Sequence, residues 1–258
     1  MMAAGSLEGR RAFVAGASRG IGRNIAYALA REGAAVAVAA RSTREGKLAG
    51  TIHSVAANIE SEGGRAFAVE CDVTDEASVE AAVDRTAHEF GGIDILVANA
   101  GVMWLKPTLD TPLKRWELCM RVNLTGVFLV TRAVLPHARK NATASLIAVT
   151  TTGVGMTELG SNAYWTSKAG VERYYTGLAT ELERDNIAVN CLAPKKVVRT
   201  EGMEVAARDL DIPADMFEPD EAMGRAAVIL AAQDASSMTG TVQYSLDLLE
   251  QTMDRAGA

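Results

Sequence analysis

Short apolar runs rich in β-branched residues alternate with amphipathic stretches along almost the whole chain. Residues 12–15 read as a first strand, and 21–31 as a helix closed by Gly33. Residues 35–40 are apolar without a break, as in a strand covered on both faces. A helix over 48–61 stops at Gly63-Gly64. A strand over 66–70, a helix over 75–90 and a strand over 93–98 follow. Residues 112–140 carry a long helix, and 146–149 form the fifth strand. A second long helix covers 163–184, and 188–192 form the sixth strand. A helix over 221–232 and a short strand over 242–244 finish the pattern. Strict alternation of this kind predicts an α/β fold: a doubly wound parallel sheet of about seven strands with helices on both faces. With no linker and no repeat, residues 1–258 read as one domain. The irregular stretch, 195–220, mixes apolar residues (Val197, Val198, Met203, Val205, Leu210, Ile212, Met216, Phe217) with seven acids. Such a segment inside a compact domain suits a substrate lid, with the acids from Glu201 to Glu221 as its solvated face.

The turn after the first strand reads Gly16-Ala17-Ser18-Arg19-Gly20-Ile21-Gly22. Glycines permit a tight turn and close approach of a phosphate to backbone. The helix that follows offers free N–H groups and the positive end of its dipole. A glycine-rich turn alone is weak, but strand, turn and helix occur together here, which favours a dinucleotide. At the end of the second strand an acid would select NAD by binding the ribose 2′-hydroxyl. This chain has Ala39-Ala40-Arg41-Ser42 instead, with Arg19 in the turn and Arg44 nearby. A planar guanidinium suits a phosphate, so NADP is the preferred cofactor and NAD the second choice.

Tyr164 and Lys168 are four residues apart, one helical turn. Alone such a pair is most often a surface contact. Beside a dinucleotide site it describes a proton donor whose ordinary pKa, about 10, an adjacent ammonium would lower.

These motifs, in order, resemble the short-chain dehydrogenase/reductase family over nearly all of the chain. The glycine motif matches at Gly16, Gly20 and Gly22. Asp72, followed by Val73, resembles the family's adenine-contacting acid. Asn99-Ala100-Gly101 matches its fourth-strand end, with Ala98 where Asn is usual. Asn123 resembles the active-site Asn, and Tyr164-x-x-x-Lys168 the catalytic pair. Gly50-Thr51-Ile52, Leu109-Asp110-Thr111-Pro112 and Pro194-Lys195 followed by Thr200 are similar to the hydroxysteroid dehydrogenase-like branch. The resemblance implies a Rossmann-type fold and an oxidoreductase. It implies catalytic roles for Asn123, Thr151, Tyr164 and Lys168. It implies cofactor contacts from Gly16, Ser18, Arg19, Gly20, Ile21, Gly22, Arg41, Ser42, Asp72, Val73, Asn99, Ala100, Gly101, Tyr164, Lys168, Pro194, Val197 and Thr200. Lys168 would also hold the nicotinamide ribose, and Asn123 a proton-relaying water. The chain departs from the family twice. The usual Ser, thirteen positions before the Tyr, is Thr151, which keeps a hydroxyl but restricts χ1. Lys195 replaces the usual Gly after Pro194, so the turn at the nicotinamide would run differently.

Composition narrows the partners. A net charge of −6 disfavours nucleic acid and anionic membranes. Three scattered cysteines predict no zinc site and no disulfide framework, and suit a reducing cytoplasm. His53, His88 and His137 lack ligand spacing, so no metal is expected. No stretch approaches the ~20 apolar residues of a membrane span, and residues 1–11 show no export signal. Met103, Trp104 and Met156 follow strand ends, where an apolar substrate would lie. The leading expectation is an NADP(H)-dependent enzyme interconverting an apolar secondary alcohol and its ketone, or an aldehyde and alcohol. The alternative is a non-catalytic dinucleotide-binding sensor or scaffold. The excess apolar surface of the two long helices (Val127, Val130, Val134, Val171, Tyr174, Tyr175, Leu178) predicts a homodimer or homotetramer.

Overall fold

A computed structural model describes residues 5–156, 160–207 and 212–257; Leu210, assigned above to a lid, lies outside them. Seven parallel strands form one sheet: β1 (Arg11–Ala15), β2 (Ala35–Ala40), β3 (Arg65–Glu70), β4 (Ile95–Ala98), β5 (Ala144–Val149), β6 (Ile187–Ala193) and β7 (Val242–Tyr244). Their spatial order is β3-β2-β1-β4-β5-β6-β7. The fold is the Rossmann-type α/β sheet expected from the alternation. Every residue of β2, β4, β5 and β6 is buried, whereas the edge strands β3 and β7 are partly open. That is why the central runs are apolar without alternation.

Two core layers flank the sheet. The helices α1 (Gly20–Arg31), α2 (Ile52–Ser61), α8 (Ala222–Ala231) and α9 (Ser245–Gly257) cover one face, through Ile25, Leu29, Ile52, Met223 and Leu230. The helices α3 (Glu76–Phe90), α5 (Gly126–Ala138) and α6 (Asn162–Glu181) cover the other, through Val83, Val134, Val171 and Tyr175. Successive strand residues serve opposite layers: Ala12 and Val14 face the first, Phe13 and Ala15 the second, as a side-chain period of two requires. Two short helices, α4 (Leu113–Cys119) and α7 (Glu201–Ala206), stand at the carboxyl edge.

The structure corrects several expectations. The second helix begins at Ile52, not residue 48. Thr51 is its N-cap in a reciprocal pair with Ser54, and Gly50 precedes it at φ +99°. The long helix is not uniform: a wide π-helical turn, Met120–Thr125, separates α4 from α5 and carries Asn123. α9, which starts directly from β7 at Ser245, is an element beyond those expected from the sequence. The run Leu113–Ala138 is, by length and composition, apolar enough to cross a membrane, against expectation. Half of its most apolar window is buried, and its α5 portion packs on the sheet. Val127, Val130, Val134, Val171, Tyr175 and Leu178 are buried within the subunit and Tyr174 partly so, so they offer no excess surface. Among the described residues, the large apolar side chains left exposed on these helices are Leu113, Trp116, Leu118 and Phe128.

Candidate active site

The strand order reverses between β1 and β4, and a crevice opens there at the carboxyl ends of the strands. The predicted residues on the first turn, on β4 and on β5 all follow strand ends around this crevice. Gly16 has φ +79°, and a Cβ on it would stand 2.6 Å from the Ala100 Cα. A Cβ on Gly22 would overlap the Gly16 carbonyl oxygen and the Asn99 amide. Asn99 Nδ2 donates to that carbonyl at 2.9 Å. The turns after β1 and β4 are thus in close contact, an approach that only positions without a side chain allow. Gly20 (φ +55°) lies under Thr200, whose Cβ would stand 3.1 Å from an added Cβ. Ser18 is buried and Ile21 partly so.

The arginines differ from each other. The Arg19 guanidinium donates to the carbonyls of Leu48, Ala49 and Gly50 and to Ser42 Oγ, at 2.8–3.2 Å. It therefore staples the β2–α2 loop to the glycine turn. Arg41 is exposed, and its Nη1 lies 3.6 Å from Asp72 Oδ2. The absence of an acid at the end of β2 is therefore partly offset in space by one after β3. Asp72 Oδ1 accepts from Thr74 N and Oγ1, which with the Arg41 charge holds its carboxyl below the ordinary range against the opposing effect of burial. Val73 is buried against Gly126, so its side chain serves the core.

The second half of the site joins β4, the π-helical turn, β5 and α6. A Cβ on Gly101 would stand 3.4 Å from Asn123 Oδ1 and 3.6 Å from Lys168 Nζ, so these three residues meet. Lys168 Nζ donates to Val149 O at 2.7 Å. Asn123, fully buried, accepts from Val102 N at 2.8 Å and donates to Val102 O and Ser167 Oγ. Both its amide protons are committed, so the expected water relay has no donor from this side chain. Ser167 Oγ in turn donates to Tyr164 O at 2.6 Å. Thr151 Oγ1 accepts from Gly153 N at 3.2 Å, which leaves its own proton free to donate. Thr151 lies two residues beyond β5, and Tyr164 is in the first turn of α6.

A family model for short chain dehydrogenases matches residues 10–210. The chain belongs to this family. It is 39% identical over 228 residues to human hydroxysteroid dehydrogenase-like protein 2, covering 82% of this chain and 53% of that protein. The chain therefore spans about half the length of the curated relatives it matches. A solved short-chain type dehydrogenase/reductase from Mycobacterium marinum superposes with a TM-score of 0.83 at 33% identity, covering 92% of this chain and 94% of that one. A Burkholderia cenocepacia short chain dehydrogenase, solved in complex with NADP, superposes with a TM-score of 0.82 at 29% identity, covering 93% and 97%.

Within this short-chain dehydrogenase, burial sets the proton chemistry. It pushes Tyr164 up to about 12, reinforced by the buried Cys119 thiol. It pulls Lys168 down to about 8, against the opposing influence of Cys191 and Glu172. In this geometry one proton of the Lys168 ammonium goes to Val149 O. Lys195 does not crowd the site. Its Nζ pairs with Asp247 Oδ2 at 2.8 Å and lies over the Tyr244 ring, away from the crevice.

The segment from 195 to 220 is pinned at its neck. Val197 bridges Phe217, and Lys196 N donates to Glu218 Oε2. Glu218 is buried rather than solvated, because Ser245 Oγ and the backbone hold its carboxylate. Glu201 pairs with Arg23 at 2.8 Å, which brings α7 onto α1. Pro194 is partly buried just before this neck. Sequence reasoning missed the Thr150–Glu172 hydrogen bond, 2.7 Å, and the packing of Trp165 on Gly153. The first had a signal: Glu172 continues the four-residue stripe of Tyr164 and Lys168.

Gly16→Ala tests the contact between turns. The left-handed backbone alone should cost about 1–3 kcal/mol, and the Ala100 backbone cannot yield as a side chain would. A urea titration showing less than about 0.5 kcal/mol of destabilisation would contradict it.

Proposed function

We propose that the chain catalyses the NADP(H)-dependent interconversion of an apolar secondary alcohol and its ketone, with Tyr164 as general acid and base. The observation that carries this reading is the meeting of Gly101, Asn123 and Lys168 beside a glycine cradle too tight for any Cβ. The dinucleotide fits the residues present: Gly16, Gly20 and Gly22 would admit its pyrophosphate, and Arg41, with Arg19 and Ser42 behind it, would face a 2′-phosphate. The NADP in the Burkholderia cenocepacia structure supports the same choice. When bound, the cofactor supplies or accepts the hydride.

The chain's own groups handle the proton. In reduction, Tyr164 donates its phenolic proton to the substrate oxygen as negative charge develops there. Thr151 donates to the same oxygen, its own oxygen being steadied by Gly153 N. Lys168, one turn from Tyr164 and beside Gly101, would hold the nicotinamide ribose with the ammonium protons that Val149 does not use. Met103, Trp104 and Met156, with residues 195–220 as a lid, would give the substrate pocket its apolar walls.

Three outcomes test this reading. NADPH should bind at least roughly tenfold tighter than NADH, about 1.4 kcal/mol, and Arg41→Asp should move the preference toward NADH. Equal affinities in a calorimetric titration would count against it. Tyr164→Phe should lower turnover with a ketone panel by about 10² or more while NADPH affinity survives. Thr151→Ala should lose a similar order and Thr151→Ser little. Near-normal turnover in Tyr164→Phe would remove Tyr164 from the mechanism. The exposed Trp116 and Phe128 support a homodimer or homotetramer through this helix pair. Light scattering at micromolar concentration should show an oligomer that Phe128→Asp dissociates, and a monomeric wild type would refute it.

A further inference from the structure

α6 carries Tyr164, Lys168 and Glu172 at four-residue intervals, so the three side chains form one stripe along the helix. The stripe meets the end of β5 at consecutive residues. Lys168 Nζ donates to Val149 O at 2.7 Å. Glu172 Oε1 accepts from Thr150 Oγ1, also at 2.7 Å. Thr150 N donates to Leu192 O at 2.9 Å, which ties the same residue to β6. The next residue is Thr151. Its backbone leaves the sheet in a direction fixed on one side by β6 and on the other by Glu172.

We propose that Glu172 is a positioning residue of the reaction centre: its carboxylate aims the Thr151 hydroxyl through Thr150, and it is the negative counter-charge of the Lys168 ammonium. The proposal rests on the reading of Thr151, Tyr164 and Lys168 given above. Two arguments support it. A carboxylate is a stronger acceptor for a hydroxyl than a neutral group, and Thr150 is buried, so the bond is made in a region of low polarity. A buried ammonium is strongly disfavoured without an opposite charge. The titratable groups around Lys168 are Tyr164 and Glu172 on α6 and Cys191 on β6; Cys119, at the end of α4, acts on Tyr164. Of these, Glu172 is the one carboxyl group, one helical turn from Lys168 on the same stripe. Burial raises the Glu172 carboxyl, while the Thr150 bond and the Lys168 charge oppose that rise. The reciprocal effect, Glu172 raising Lys168 against burial, appears on the other partner.

The test separates charge from orientation. The Lys168 side chain is followed through a pH titration by NMR of 13Cε-labelled lysine in the full chain, with and without NADPH; Lys168→Met identifies the signal. Glu172→Gln keeps the shape and an acceptor for Thr150 but removes the charge. Its Lys168 midpoint should fall by about one pH unit, and the alkaline limb of kcat/KM should move down with it. Glu172→Asp should restore most of that shift. Thr150→Val keeps the charge but breaks the link to Thr151. It should leave the Lys168 midpoint in place while kcat falls about tenfold or more. An unchanged Lys168 midpoint in Glu172→Gln overturns the counter-charge role, and an unaltered kcat in Thr150→Val overturns the positioning role. Failure of the underlying reading looks different: Tyr164→Phe would keep its turnover, whereas the Lys168 titration needs no turnover at all.

Discussion

The site depends on one close approach of backbone to backbone. The carbonyl of Gly16 is held by the Asn99 amide, and Gly22 lies where any Cβ would strike both groups. Three residues from two loops therefore fix each other. The contact occurs at the reversal of strand order between β1 and β4, where the chains leaving the two strands diverge. Divergence opens the crevice; the Asn99–Gly16 bond stops it opening further. The floor of the site is thus main chain rather than side chain, and its position is set by the register of β1 on β4, Ala15 opposite Ala98.

The reacting groups are fixed by a different device. α6 would slide along the sheet if only apolar contacts held it, since Val171 and Tyr175 pack without direction. Lys168 on Val149 O, Glu172 on Thr150 Oγ1 and Ser167 on Asn123 lock its register. The lock needs Asn123 at a depth that a regular helix would miss. The π-helical turn Met120–Thr125 supplies it by widening the helix locally. Asn123 then spends its whole amide on Val102 and Ser167, joining the loop after β4 to α6.

The fold was legible because β2, β4, β5 and β6 are buried at every position, and continuous apolar runs announce that directly. The helix faces were less legible. Val127, Val130 and Val134 look like surplus on a long apolar helix, but spacing alone cannot say whether a sheet or a second subunit covers them. The π-helical turn left no trace, since Met120 to Thr125 contains neither Gly nor Pro. α9, starting directly from β7, lay beyond the expected elements. At the site, spacing picked out Tyr164, Lys168 and the glycines, but not where charges would point. Arg19 turns onto carbonyls, and Asp72 approaches Arg41 from another strand, because long side chains find partners that only the fold brings near.

The segment after β6 follows from the same contrast between pinned and free backbone. Its neck is closed by Val197 on Phe217 and by Glu218, whose carboxylate gathers Ser245 and the backbone of Lys196. A buried carboxylate with these donors cannot leave without exposing unpaired groups, so the neck is part of the rigid sheet edge. Beyond the neck the contacts change character. Thr200 touches Gly20, and Glu201 meets Arg23 in a half-exposed ion pair. Val205 and Met216 remain exposed. A partly exposed pair of this kind contributes about 1 kcal/mol or less, so among the described residues the hold of α7 on α1 is weaker than that of the neck.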